Sequence, residues 1–103
     1  MKIQINGKAI ELKNTFRSLM IYETITEELF NPKNISDFII YFYSTVLASD
    51  KQLHITLDDF TEWLDNNTNE LANFMQWVAL VNGKNGYING NTNNKTTEEP
   101  KKE

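Results

Sequence analysis

A mainly α fold of the α+β class is predicted: a short N-terminal β-hairpin, a bundle of about four helices and a flexible polar C-terminal tail. Three observations predict it. Two alternating polar and apolar runs flank Asn6-Gly7, apolar residues then recur at helical spacing behind residues that suit helix N-caps, and the composition turns polar at Gly83. Residues 1–82 are expected to form a single globular domain and residues 83–103 a tail.

Asn and Gly tolerate the positive φ angles of a two-residue hairpin turn, so residues 2–13 read as a two-stranded ribbon with Ile3, Ile5, Ile10 and Leu12 facing the core. A lone ribbon is marginal in water. It is expected to pack on the first helix, residues 15–30, which Asn14 or Thr15 caps and in which Leu19, Tyr22, Ile25, Leu29 and Phe30 keep helical spacing until Asn31-Pro32.

The second helix, residues 35–48, carries apolar side chains round most of its circumference, from Phe38 to Leu47, and is expected at the centre. Thr56 and Asp59 resemble a capping box opening a third helix, residues 57–66, with Leu57, Phe60 and Leu64 inside and Asp58, Asp59, Glu62 and Asp65 outside. Asn67 or Thr68 is expected to cap the fourth, residues 68–82, whose inner side is Leu71, Phe74, Met75, Val78 and Val81 and which Asn82-Gly83 ends.

Composition narrows the chemistry. Forty per cent hydrophobic residues suffice for a folded core, and a formal charge of −4 argues against nucleic acid, where Lys and Arg must displace condensed counterions. The absence of cysteine removes disulfides, thiolate nucleophiles and Cys-ligated zinc. The longest apolar stretch, Phe38 to Tyr43, is too short to span a bilayer, so no membrane role is expected and the chain reads as a soluble intracellular protein.

Catalytic, metal and cofactor sites are not expected. His54 is the one histidine and lacks a nucleophile beside it; it reads as a loop residue. The run from Asp65 to Glu70 departs from a calcium loop, with Glu70 at the sixth position and Gln76 at the twelfth. The acids of the third helix read as a solvated face, and Gly83, Gly86 and Gly90 do not sit between a strand and a helix as a phosphate loop requires. Aromatic residues with a polar handle suit partner surfaces, which makes Trp63 and Trp77 candidates, Trp63 the more core-like of the two by helical phase.

The ribbon INGKAIEL followed by TFRSLMIYETIT holds the spacing F-R-x-L-x-x-(F/Y)-E-x-(I/L)-T through Phe16, Arg17, Leu19, Tyr22, Glu23 and Thr24 or Thr26. This resembles the N-terminal part of tail assembly chaperones of long-tailed bacteriophages and prophages. The motif covers residues 3–30 and the architecture residues 1–82. Many such sequences place Thr-Gly after the glutamate of this helix. Here Thr26-Glu27-Glu28 stands instead, so the helix is expected to continue to Phe30.

The resemblance implies a non-catalytic protein without cofactors that binds the tape-measure protein, recruits tail-tube subunits in the bacterial cytoplasm and is absent from the finished virion. Partner contacts are then expected at Tyr22, Tyr41, Trp63, Phe74 and Trp77, and the nearly all-apolar second helix leaves room for a homo-oligomer. The alternative from another class is a small acidic phage regulator that occupies a basic site of a host protein.

Overall fold

The computed structural model describes residues 1–85, with side chains to Val81. Strands β1 (Lys2–Ile5) and β2 (Lys8–Glu11) precede four helices, α1 (Phe16–Thr26), α2 (Ile35–Ser49), α3 (Leu57–Asp65) and α4 (Glu70–Asn85). The expected tail from residue 86 onward lies outside the described residues.

The hairpin forms as its turn chemistry predicts. Asn6 (φ 52°) and Gly7 (φ 74°) both take positive φ, the geometry of the type I′ turn whose twist matches that of the strands. Antiparallel pairing sets Ile3 opposite Ile10, and Ile3, Ile5, Ile10 and Leu12 are all buried. The trp indole of α3 secures the ribbon's outer backbone, with Trp63 Nε1 donating to the Gln4 carbonyl at 2.9 Å.

Helix α1 starts at a capping box. Thr15 Oγ1 accepts from the Ser18 N–H at 3.3 Å, and the Ser18 hydroxyl faces the Thr15 N–H in return. Helix α1 packs chiefly on α2 rather than on the ribbon, correcting the expected arrangement; strand β2 meets α2 instead. The Lys13 N–H donates to Ser49 Oγ at 2.9 Å, which ties the start of α1 to the end of α2 and makes the two helices antiparallel.

The expected extension of α1 to Phe30 is also corrected. Glu27 turns left-handed (φ 59°, ψ 29°), and its N–H closes the last turn on the Glu23 carbonyl at 2.8 Å. The position that glycine fills in such caps is thus reached by a glutamate. Thr26 Oγ1 donates to the Tyr22 carbonyl and accepts from the Glu28 N–H, while the Glu23 carboxylate accepts from the Phe30 N–H at 2.8 Å. These side-chain bonds satisfy groups that a longer helix would have paired internally.

Helix α2, capped by Asn34, contacts α1, α3, α4 and β2, and so occupies the centre as its composition predicts. Tyr41, Phe42 and Val46 are fully buried on it. Phe42 stacks on Phe74 of α4 (centroids 4.4 Å apart, planes 3° apart) and meets Phe60 of α3 edge-on at 5.1 Å. Three helices are therefore joined through one ring.

Thr56 caps α3, and of the expected inner stripe Phe60 and Leu64 are buried while Leu57, in the first turn, is only half-buried. Helix α4 begins at Glu70, two residues later than expected, after a turn in which the Glu70 N–H bonds the Asn67 carbonyl. It continues through Gly83 to Asn85, three residues past the expected end at Asn82. Glycine inside a helix costs about 1 kcal/mol relative to alanine, which weakens a helix without ending it.

Candidate interaction site

The expected partner-contact residues divide by burial. Tyr22 (2% exposed), Tyr41 (0%) and Phe74 (0%) lie in the core, which corrects their assignment to a partner surface. Re-exposing an aromatic of that size costs on the order of 2 kcal/mol, more than a rim contact returns. Tyr22 meets Phe30 and Tyr41 edge-on at 5.1 and 6.3 Å. Its phenol is held above the ordinary value by burial first, and then by the carboxylates of Asp37 and Glu28. Tyr41 donates its hydroxyl to Asn14 Oδ1 at 2.8 Å, the polar link that lets a tyrosine sit fully inside.

Trp63 and Trp77 are partly buried and pack against the core. Trp63 lies over Phe60 and edge-on to Phe42, with its one N–H donor engaged by Gln4, so its packing and its polar handle both serve the fold. Trp77 rests beside Phe74 at 5.9 Å.

An apolar groove of about 620 Å³ lies elsewhere, along the flank of α1 that carries Arg17, Met20, Ile21, Thr24 and Ile25. Its other wall is Tyr43 and Leu47 of α2, and Leu57 of α3 closes it. The volume falls in the range of sites that hold a ligand or an anchoring side chain cluster. Met20 is 66% and Ile25 38% exposed, so the groove is rimmed by apolar side chains that the fold leaves uncovered.

This site arises because α1 is apolar on two flanks. Residues 18 and 22 point inward, and 20 and 24 fall on the opposite side at the 100° step of a helix. The sequence carries a signal for it, since Met20 lies off the Leu19 and Tyr22 stripe and has no place in a one-sided amphipathic helix. Arg17 is the charged residue of the lining; it is exposed, and its guanidinium makes no hydrogen bond or ion pair among the described residues. Burial raises the phenol of Tyr43, whose hydroxyl donates to the Ile55 carbonyl at 2.6 Å.

A second, smaller hollow of about 330 Å³ lies between Phe30 and Pro32 of the α1–α2 connection and Met75, Val78 and Ala79 of α4. The acids Asp58, Asp59, Glu62 and Asp65 are exposed on α3, and His54 is exposed in the loop before it. Among the described residues no three His, Cys, Asp or Glu side chains gather as a metal site, and no helix is long and apolar enough to cross a membrane. Compared with protein-family models, curated proteins and solved structures, the chain matches none.

Proposed function

We propose that this chain is a non-catalytic tail assembly chaperone of a bacteriophage or prophage, which shields helices of the tape-measure protein in the host cytoplasm and recruits tail-tube subunits to them. The single observation that carries the reading is the open apolar groove along α1, lying within the segment whose F-R-x-L-x-x-Y-E spacing resembles that family. A preformed groove beside an exposed helix flank suits helix-in-groove binding, in which an amphipathic helix lays its apolar side against the site. Reversible binding fits such a site, because the groove is open and its walls are complete without an occupant.

The test is co-expression with the tape-measure and tube proteins encoded beside it. The soluble fraction of the tape-measure protein is expected to rise several-fold, and to fall back with Met20→Glu in the groove. Unchanged solubility and unchanged tube assembly overturn the proposal.

A second reading, an acidic regulator of a basic host site, draws on Asp58, Glu62 and Asp65, which recur at helical spacing on the exposed side of α3. Association with a basic protein that weakens steeply with salt and is lost on neutralising these three acids would favour it over the chaperone.

A further inference from the structure

Arg17 stands in the first turn of α1, where no acidic residue accompanies it. A cation there opposes the helix dipole, and in this fold the guanidinium has no bonding partner among the described residues. Its charge therefore contributes nothing favourable to α1, yet it lines the mouth of an otherwise uncharged groove. Met20, Ile21, Ile25, Leu47 and Leu57 supply apolar lining, so a ligand there meets a long apolar contact with one cation at its end.

We infer that the groove selects an amphipathic helix carrying a carboxylate at the end that reaches Arg17. The inference rests on the chaperone reading and specifies which helices of the tape-measure protein are held. From Arg17 to Ile25 the α1 wall runs about 12 Å at the helical rise, rather more than two turns. An occupant of that length presents apolar residues at i and i+4, and a Glu or Asp about one turn beyond the last of them meets the guanidinium. Arginine binds a carboxylate through two parallel N–H donors, which fixes the direction of the bound helix as well as its composition. An acidic chain with a basic groove mouth thus separates its general repulsion of acids from one local attraction, a source of selectivity among similar apolar helices.

The experiment uses the full chain and overlapping peptides of about 25 residues, long enough to form helix on binding, that tile the neighbouring tape-measure protein. Binding is read by fluorescence anisotropy for the wild type, Arg17→Glu and Met20→Glu, each first checked for native helix content. Arg17→Glu places an acid where the helix dipole favours one, so the variant is expected to fold. The tightest peptides are expected to carry the apolar stripe with a terminal acid, to lose about tenfold in affinity against Arg17→Glu, and to regain it when that acid is changed to Lys. Met20→Glu is expected to weaken all of them.

Peptide binding that Met20→Glu abolishes but Arg17→Glu leaves unchanged overturns the carboxylate contact while sparing the chaperone reading. A tape-measure protein that is neither bound as peptides nor solubilised whole overturns that reading, and this inference with it. A concentration-dependent dimer that Met20→Glu dissolves assigns the groove to a second copy and overturns the inference as well.

Discussion

Tyr43 shows how one hydroxyl can join two elements. It extends from α2 to the carbonyl of Ile55, a buried residue just ahead of α3, over 2.6 Å. Tyr43→Phe keeps the ring and leaves that carbonyl without its donor, which costs about 1 kcal/mol; the urea midpoint is expected to fall accordingly, with an unchanged slope. Asp50 makes a comparable link at the surface. Its carboxylate lies 2.6 Å from the Lys8 ammonium and accepts from the Gln52 N–H, and these bonds, Lys8 foremost, hold its pKa below the ordinary carboxylate value. A lowered pKa in the folded state means that the unfolded chain binds the proton more readily, so the contribution is present above the usual carboxylate range and lost as pH falls through the folded value. Melting temperatures of wild type and Asp50→Asn are expected to differ at neutral pH and to converge in acid.

At the scale of elements, the end of α1 is the most informative departure from sequence reasoning. The apolar spacing continues through Leu29 and Phe30, and no glycine marks a stop, so nothing in the pattern signals that Glu27 turns left-handed. The stop becomes intelligible only with Phe30 in place, since its ring packs between Tyr22 and Tyr41 at 5.1 and 4.8 Å after the chain has reversed. Tertiary packing has outweighed helical continuation. A non-glycine residue in this conformation costs roughly 1 kcal/mol or more, partly offset in glycine by its freer unfolded chain. Glu27→Gly is therefore expected to stabilise the protein by about 0.5–1 kcal/mol in chemical denaturation. The hairpin, by contrast, was legible because Asn6-Gly7 and the period of two specify both turn and facing. Helix α2 was legible because a helix apolar on nearly every side has few places to go but inward.

For the whole molecule, burial and interface looked alike in the sequence. Tyr22, Tyr41 and Phe74 have the residue types of a binding surface and the positions of a core, and only the packing of α1, α2 and α4 round them decides between the two. The groove was legible only as the off-stripe position of Met20, for the converse reason: its walls come from three helices, and no periodicity within one of them places Met20 beside Leu47 or Leu57. The hairpin's attachment is likewise a property of the assembled chain, since the Trp63 indole reaches Gln4 across 59 positions of sequence. Trp63→Phe preserves most of the packing and removes this bond; amide exchange in residues 2–11 is expected to quicken while α2 stays protected. The reversal after α1 has a further consequence. Leu29 is 84% exposed, whereas the next residue has its N–H on the Glu23 carboxylate and its half-buried ring packed against the core. A protease is thus offered a side chain whose following peptide group is already held, and a cut there would sever the backbone without removing what binds α1 to α2. The two fragments are expected to stay together as a noncovalent pair, co-eluting in size-exclusion chromatography after limited proteolysis, because Phe30 still packs on Tyr22 and Tyr41.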